Sequence, residues 1–202
     1  MRNAVFAINM TVDGYFGHED GIADEELHEF FTGLLRNADI ALFGRKTYQL
    51  MFPYWHTVAE NQSGTKTINE FARTIDAINK IVFSRTLKSV EMKNTTLSRA
   101  NIEEELLKLK GQPGKDIFID GLSIAAHLTR LGMIDEYHFV VHPVMAGKGP
   151  RLFEADGLKE RLRLKLVGSK KFSSGVVALH YQKNGAVKEV LLWQHEANQQ
   201  SP

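Results

Sequence analysis

Three short segments of this sequence contain residues that commonly bind phosphate. Each has a hydroxyl side chain together with a glycine, a cation or both. Each segment directly follows a run of apolar residues. The three segments are Gly44-Arg45-Lys46-Thr47, Ser84-Arg85-Thr86 and Asp120-Gly121-Leu122-Ser123. An arginine guanidinium can grip a phosphate through two parallel hydrogen bonds, and a glycine lets the backbone approach a ligand closely. Together the segments favour a ligand that carries phosphates at separated points, such as a phosphorylated dinucleotide.

The pattern of apolar residues predicts an α/β fold. Short apolar runs predict strands at residues 4–8, 40–43, 80–84, 117–119, 137–144, 161–167 and 176–181. Helical spacing predicts helices after Asp24 and over residues 46–51, 67–75, 102–110 and 122–131. Pro53 is expected to end the second helix. Alternating strands and helices predict a mostly parallel sheet covered on both faces, and the last two strands predict a β-hairpin that makes the sheet mixed.

The three segments lie at junctions where a predicted strand ends. Ligands of open parallel sheets bind outside the carboxyl ends of the strands, and a helix N-terminus attracts phosphate through its unpaired N–H groups. Each segment also has a plainer interpretation. Gly44 can make a turn, Arg45 and Arg85 can be solvated surface cations, and Ser123 can cap its helix.

Composition limits the classes of partner. Lys and Arg number 25 against 24 Asp and Glu, a net charge of +1, which gives no support to nucleic acid as a partner. The sequence has no cysteine, which excludes disulfides and thiolate metal sites. No stretch reaches the roughly 20 apolar residues of a membrane span, and residues 4–8 are too short for a signal segment. We therefore expect a cytoplasmic protein with no membrane partner.

The 202 residues suit one domain with an appendage. We predict a domain over residues 1–185 and a partly disordered C-terminal extension over residues 186–202. An apolar patch within this extension, Val187 with residues 190–193, could be an edge strand or a dimer contact.

The sequence resembles the dihydrofolate-reductase-like family, in the branch of the C-terminal reductase domain of the bifunctional riboflavin-biosynthesis deaminase/reductase. Matching segments follow the family order between residues 3 and 183. They are TVDGY at 11–15, DIALFGRKTY at 39–48, KIVFSRTL at 80–87, FIDGL at 118–122, GMIDE at 132–136 and PVMAGKGPRLF at 143–153. The resemblance implies a three-layer αβα fold, NADPH as cofactor and a homodimer.

The resemblance also implies roles for the three segments. Gly44-Arg45-Lys46-Thr47 would hold the adenosine side and the pyrophosphate, and Ser84-Arg85 would hold the 2′-phosphate that distinguishes NADPH from NADH. Gly121-Leu122-Ser123 would offer backbone N–H groups to the pyrophosphate. The loop at residues 10–15 would act as a lid beside the nicotinamide ring. Where the family commonly has Gly-Gly, this sequence has Asp120-Gly121, and a carboxylate there would repel a phosphate.

The implied reaction is hydride transfer to a C=N or C=O carbon of a pyrimidine, pterin or ribosyl-type substrate, a small heterocyclic molecule. The closest family analogy is 5-amino-6-(5-phosphoribosylamino)uracil reductase of riboflavin biosynthesis. A carboxylic acid usually supplies the proton. Asp13 is the first candidate, and Asp24 with Glu25 is the second, although Asp13-Gly14 is also a turn signal and Asp24 can be an N-cap.

Three other interpretations stay open. A non-catalytic NADPH-binding protein would keep the phosphate junctions. Gly121-Leu122-Ser123-Ile124-Ala125 resembles a degenerate G-x-S-x-G elbow, so a serine hydrolase using Ser123 is a second enzyme hypothesis. His138 and His142 share one face of a predicted strand, but two histidines without a third ligand are typical of packing, and we predict no metal site.

Overall fold

A single twisted sheet forms the centre of the protein in the computed structural model, which describes residues 1–17, 19, 21–153, 157–158 and 160–184. Within these residues eight strands follow the order β4-β3-β2-β5-β1-β6-β8-β7. The strands are β1 Ala4–Thr11, β2 Ala38–Gly44, β3 Asn79–Phe83, β4 Thr95–Ser98, β5 Asp116–Asp120, β6 Glu136–His142, β7 Leu164–Lys171 and β8 Val177–Lys183. The pairs from β4 to β6 are parallel, whereas β8 and β7 are antiparallel to their neighbours.

Helices cover both faces of this sheet. They are α1 Glu25–Arg36, α2 Arg45–Asn61, α3 Lys66–Ala77, α4 Ile102–Lys110 and α5 Leu122–Arg130. On one face, Leu106 of α4 and Leu128 of α5 pack with Phe6 in one buried cluster. On the other face, Phe52 of α2 and Phe71 of α3 pack in a second cluster. The predicted three-layer αβα fold, with a mixed, mostly parallel sheet and a C-terminal hairpin, is confirmed.

Side-chain caps explain where three of the helices begin. Asp24 Oδ1 accepts a hydrogen bond of 2.7 Å from the Leu27 N–H at the start of α1, as its predicted N-cap role requires. Thr65 caps α3 and Asn101 caps α4 in the same manner. An N-cap of this kind satisfies one of the N–H groups that a helix start leaves unpaired. By contrast, Gly44 and Gly121 precede α2 and α5 without any side-chain cap.

The prediction that Pro53 ends the second helix is wrong. Helix α2 runs through Pro53 to Asn61. An interior proline costs a helix about 3 kcal/mol. Phe52 and Val58 on either side of it are buried, and each buried side chain of this size contributes about 1.5–3 kcal/mol. Tertiary packing therefore offsets the local penalty.

Strand lengths also differ from the prediction. β1 continues three residues beyond residue 8, to Thr11, because it pairs with β6 as far as His142. Strand β4 was not predicted, since Thr-Thr-Leu-Ser is short and polar and forms a strand only by parallel pairing with β3. β7 begins later than predicted and continues to Lys171, with a register shift after Leu166.

The predicted C-terminal extension and its apolar patch lie outside the described residues, so the boundary at residue 185 stays a prediction. None of the helices in the described part of the chain has the length and apolar character needed to cross a membrane.

Candidate functional site

One large cavity brings the three predicted segments together at the carboxyl ends of the parallel strands. Its volume is about 1300 Å³. All nine residues predicted to bind the cofactor line it: Gly44, Arg45, Lys46, Thr47, Ser84, Arg85, Gly121, Leu122 and Ser123. The strands that precede these segments, β3, β2 and β5, are neighbours in the sheet, so their ends meet at one edge.

Two of the segments touch each other through glycine. Gly121 has a φ of +114°, and a Cβ added there would lie 2.9 Å from Thr47 Oγ1 and 3.4 Å from the Gly44 nitrogen. Such contact distances leave no room for any side chain at position 121. The starts of α2 and α5 consequently lie side by side, and neither N-terminus has a side-chain cap. Two helix ends with unpaired N–H groups meet at the cavity, which is a favourable arrangement for an anion.

The third segment is a short turn held in place by hydrogen bonds. Ser84 Oγ accepts hydrogen bonds from the N–H groups of Thr86, at 3.2 Å, and Leu87, at 2.9 Å. The Arg99 guanidinium donates to the carbonyl oxygens of Arg85 and Leu87, both at 3.0 Å. These hydrogen bonds fix the backbone of the turn, and the exposed Arg85 side chain lines the cavity.

Positive charge is concentrated in this cavity. Among the described residues its lining contains five cationic side chains, Arg45, Lys46, Arg85, Arg130 and Arg151, but a single carboxyl group, that of Asp120. The chain as a whole has a net charge of only +1. A ligand with several negative charges therefore fits the local charge of the site, although bulk charge gave no such indication.

Arg130 and Arg151 were missed by sequence reasoning. Arg130 lies at the end of α5, and its Nε donates to the Gly157 carbonyl at 2.6 Å. The Arg151 guanidinium lies 4.3 Å from the centre of the Tyr15 ring, a cation–π contact that holds it beside the loop after β1. Arg151 lies inside the family-like segment at residues 143–153. Its position in the sequence, however, gave no sign that it would lie near the three strand ends.

The inner part of the cavity is apolar and aromatic. Its lining includes Phe16, Phe31, Trp55, Phe71 and Phe118. The ring centres of Trp55 and Phe71 are 4.6 Å apart in an edge-to-face arrangement. Aromatic walls with few polar groups suit the flat face of a heterocycle. The cavity thus joins a cationic rim to an apolar interior.

Asp120 is the acidic residue of this site, at the end of β5. Burial raises the pKa of Asp120 to about 7, against an opposing hydrogen bond from the Gly121 backbone. A carboxyl group with this pKa is partly protonated at neutral pH, so it can donate a proton. Partial protonation also lessens the repulsion that a carboxylate at this position would exert on a phosphate.

Asp13, the first predicted proton donor, does not line the cavity. Its carboxylate accepts hydrogen bonds from the Thr11 hydroxyl at 2.6 Å and from the N–H groups of Ala146 at 3.1 Å and Gly147 at 2.7 Å. The Thr11 hydroxyl, and then the Gly147 N–H, lower the pKa of Asp13 to about 2. Asp13 is therefore ionised at neutral pH and joins the loop after β1 to the loop after β6.

Asp24, the second predicted donor, also lies outside the cavity lining. One carboxylate oxygen caps α1, and Oδ2 is buried without a hydrogen-bond partner among the described residues. Nearby His142 does line the cavity. Its Nδ1 accepts a hydrogen bond from the Ile22 N–H at 3.0 Å, so Nε2 carries the hydrogen and donates to Asn9 Oδ1 at 3.0 Å. Of the three carboxyl groups, that of Asp120 lines the cavity and those of Asp13 and Asp24 do not.

The loop at residues 10–15, predicted to be a lid, is attached to the rest of the protein. Met10 and Thr11 belong to β1. Val12 N–H donates to the Val144 carbonyl at 2.9 Å, and Phe16 N–H donates to the Pro150 carbonyl at 3.0 Å. This segment and the loop after β6 consequently form one wall, with Phe16 at the cavity.

The hydrolase hypothesis receives no geometric support. Ser123 is exposed at the start of α5, and no histidine of the described chain is hydrogen bonded to its hydroxyl. His127, one turn further along the helix, is paired with Glu103 instead. A serine nucleophile requires a base within hydrogen-bond reach.

Comparison with known proteins identifies the family. Residues 3–178 match the family of the RibD C-terminal domain, and the chain belongs to that family. The uncharacterized protein YyaP of Bacillus subtilis (strain 168) is 34% identical over 190 residues, which cover 91% of this chain and 96% of YyaP. The resemblance noted in the sequence is thus confirmed.

Two solved structures share the fold. RibD of Acinetobacter baumannii has a TM-score of 0.63 and 15% identity, and the match covers 92% of this chain but 59% of RibD. A pyrimidine reductase-like protein of Corynebacterium diphtheriae has a TM-score of 0.59 and 14% identity, with 90% of this chain and 92% of that chain covered.

Gly121→Ala should disrupt the contact between the two helix starts. The added Cβ would lie 2.9 Å from Thr47 Oγ1, and alanine disfavours a φ of +114°. We expect the free energy of unfolding to fall by about 1–3 kcal/mol. Urea denaturation measures this change, with Gly33→Ala as control, since Gly33 lies inside α1 with nothing within 4 Å of the added Cβ. Equal stability of Gly121→Ala and wild type would contradict the described contact.

Asp120→Asn should change how stability depends on pH. The folded protein holds the Asp120 proton up to a pKa of about 7, whereas the unfolded chain releases it near 3.8, the ordinary pKa of an aspartate side chain. Between these values the folded state binds more protons, so wild-type stability relative to the variant decreases as pH rises, by about 2–4 kcal/mol. Urea unfolding of both proteins from pH 4 to pH 8 measures the difference. Parallel pH profiles would show that Asp120 titrates normally.

Proposed function

We propose that this protein is a reductase that uses NADPH to reduce a C=N or C=O group of a pyrimidine, pterin or ribosyl-type substrate. Membership of the RibD C-terminal domain family supports a pyridine-nucleotide-dependent reductase. The observation that carries the proposal is the single cavity whose rim holds five cations and whose interior is aromatic. A phosphorylated dinucleotide such as NADPH matches both regions of the cavity. Its anionic phosphates suit the cations, and its flat rings suit the aromatic side chains.

The uncapped starts of α2 and α5 support a pyrophosphate site. In our proposal, Gly44-Arg45-Lys46-Thr47 and Gly121-Leu122-Ser123 hold the pyrophosphate through backbone N–H groups and the Thr47 hydroxyl. Both helices begin without a side-chain cap, whereas α1, α3 and α4 are capped. A bound anion would satisfy N–H groups that no capping side chain satisfies in the part of the chain that the structure describes.

Ser84 and Arg85 are the proposed site of the 2′-phosphate. The Ser84–Leu87 turn is closed by its own hydrogen bonds and by Arg99, so Arg85 is presented from a fixed backbone. Among the described residues no carboxylate forms an ion pair with its exposed guanidinium, and Arg–phosphate pairs are commonly bidentate. A guanidinium at this position favours the phosphorylated dinucleotide over its unphosphorylated form.

Asp120 is the proposed proton donor. NADPH, when bound, supplies a hydride to the substrate carbon, and a proton must reach the adjacent nitrogen or oxygen. Asp120 lines the cavity and retains its proton to near neutral pH, which meets both requirements of a general acid. The substrate class, the homodimer and the cytoplasmic location stay predictions from family resemblance and composition.

Titration with NADPH and NADH, followed by calorimetry, tests the cofactor site. We expect NADPH to bind much more tightly than NADH. Arg85→Ala should weaken NADPH binding about 10- to 100-fold and leave NADH nearly unchanged, because a charge-assisted contact contributes about 1.5–3 kcal/mol. Arg36→Ala is the matched control, since Arg36 pairs with Glu70 outside the cavity. Equal losses for both nucleotides would contradict the 2′-phosphate assignment, and no binding of either would contradict the proposed function.

Turnover with a panel of aminopyrimidines and pteridines separates an enzyme from a non-catalytic NADPH-binding protein. With an active substrate, kcat should decrease as pH rises through about 7, where Asp120 loses its proton. Asp120→Asn should lower kcat by about 100-fold or more and remove this pH dependence. Oxidation of NADPH at 340 nm measures the rate. An unchanged kcat in Asp120→Asn would exclude Asp120 as the acid, and NADPH binding without turnover of any substrate would favour the non-catalytic protein.

A further inference from the structure

A second cluster of ionisable side chains lies on the sheet away from the cavity. Glu136 and His138 alternate on β6 and therefore face the same side of the sheet. His180 of β8 is paired directly with His138 in the antiparallel register. One possible ligand atom from each residue lies within 4.8 Å of the other two. None of the three lines the cavity, which is at the opposite end of β6.

His138 has a buried nitrogen without a partner. The residue is 7% exposed, and its Nδ1 makes no hydrogen bond within the described residues. Buried polar side-chain atoms are hydrogen bonded in the large majority of cases, because an unsatisfied atom costs about 1–3 kcal/mol. His138 therefore keeps an unsatisfied imidazole nitrogen, and a second imidazole and a carboxylate lie beside the residue.

The geometry points to a binding site for a divalent transition-metal ion, held by Glu136, His138 and His180. Two imidazoles and one carboxylate form the ligand set that proteins use for Zn²⁺ with an open position, and also for Fe²⁺. Imidazole nitrogen favours these ions over Mg²⁺ and Ca²⁺, which prefer oxygen ligands. A tetrahedral Zn²⁺ here would have one position left for water.

Neighbouring side chains already orient the carboxylate. Asn3 Nδ2 donates to Glu136 Oε1 at 3.1 Å, and Gln182 Nε2 lies 3.4 Å from the same oxygen. Glu136 Oε2 is therefore directed to His180 Nε2, at 2.8 Å. Outer contacts of this kind commonly fix the ligands of metal sites. The ion would replace the hydrogen bond between Glu136 and His180.

The two imidazoles need a small movement to share an ion. Their rings are stacked, with centres 4.1 Å apart and an angle of 16° between the planes. Rotation about χ2 would have to tilt the rings until one nitrogen of each is directed to the ion, and histidine populates a broad range of this torsion. His180 is half-buried at the side of the cluster, so it has space for the rotation. Once bound, the ion would join β6 of the parallel region to β8 of the hairpin.

Metal titration of the full chain tests this site. The protein is treated with a chelator, dialysed and titrated with Zn²⁺ by calorimetry, and Co²⁺ absorption reports the ligand geometry. We expect one ion bound by this cluster, and an affinity at least about tenfold lower in His180→Ala and in Glu136→Gln. Glu136→Gln preserves the shape of the side chain, so it decides the question if His180→Ala fails to fold. His127→Ala is the matched control, since His127 is also paired with a carboxylate, that of Glu103.

Two results would overturn the inference. One is that the wild-type protein binds no Zn²⁺. The other is that Glu136→Gln, folded by circular dichroism, binds Zn²⁺ within tenfold of wild type and with the same Co²⁺ spectrum. Loss of affinity in both cluster variants, with unchanged affinity in His127→Ala, supports the site. Because none of these residues lines the cavity, cofactor binding should be unchanged in Glu136→Gln, which separates this test from that of the reductase.

Discussion

The close approach of Gly121 to the first turn of α2 is the contact on which the cavity depends. It is possible because β2 and β5 are neighbours, with Phe43 paired to Asp120. A side chain at position 121 would collide with Thr47 Oγ1 at 2.9 Å and separate the two helix starts. With glycine there, two uncapped N-termini lie side by side at the cavity, and the fixed dipoles of both helices add to the positive potential of the same region.

Charge in this protein is arranged locally. The net charge of the chain is only +1, yet the described lining of the cavity has five cations and one carboxyl group. That carboxyl group, Asp120, is kept partly protonated by burial, with a pKa of about 7. The same burial therefore has two effects: it lowers the negative charge of the cavity lining at neutral pH, and it leaves a titratable proton on a residue of that lining.

The opposite wall of the cavity depends on Asp13. Its carboxylate accepts N–H groups of Ala146 and Gly147, and backbone hydrogen bonds from Val12 and Phe16 continue the attachment. Two loops that are distant in the chain thereby behave as one structural unit. Thr11 Oγ1, which donates to Asp13, accepts a hydrogen bond from the Tyr15 N–H, and the Tyr15 ring contacts Arg151. The residue that the sequence offered as first candidate for the proton donor thus joins these two loops in the structure.

Local sequence patterns were sufficient to predict most helices and strands and to identify the three segments suited to phosphate. Apolar periodicity located β2, β5 and α4, and the capping residues Asp24 and Asn101 marked helix starts, because these signals act over a few residues. Tertiary structure decided the rest. Helix α2 continues through Pro53 because Phe52 and Val58 are buried, and Arg130 and Arg151 reach the cavity only through chain folding. Likewise, the pKa of Asp120 and the pairing of His138 with His180 depend on burial and strand register, which arise from contacts between residues far apart in the chain.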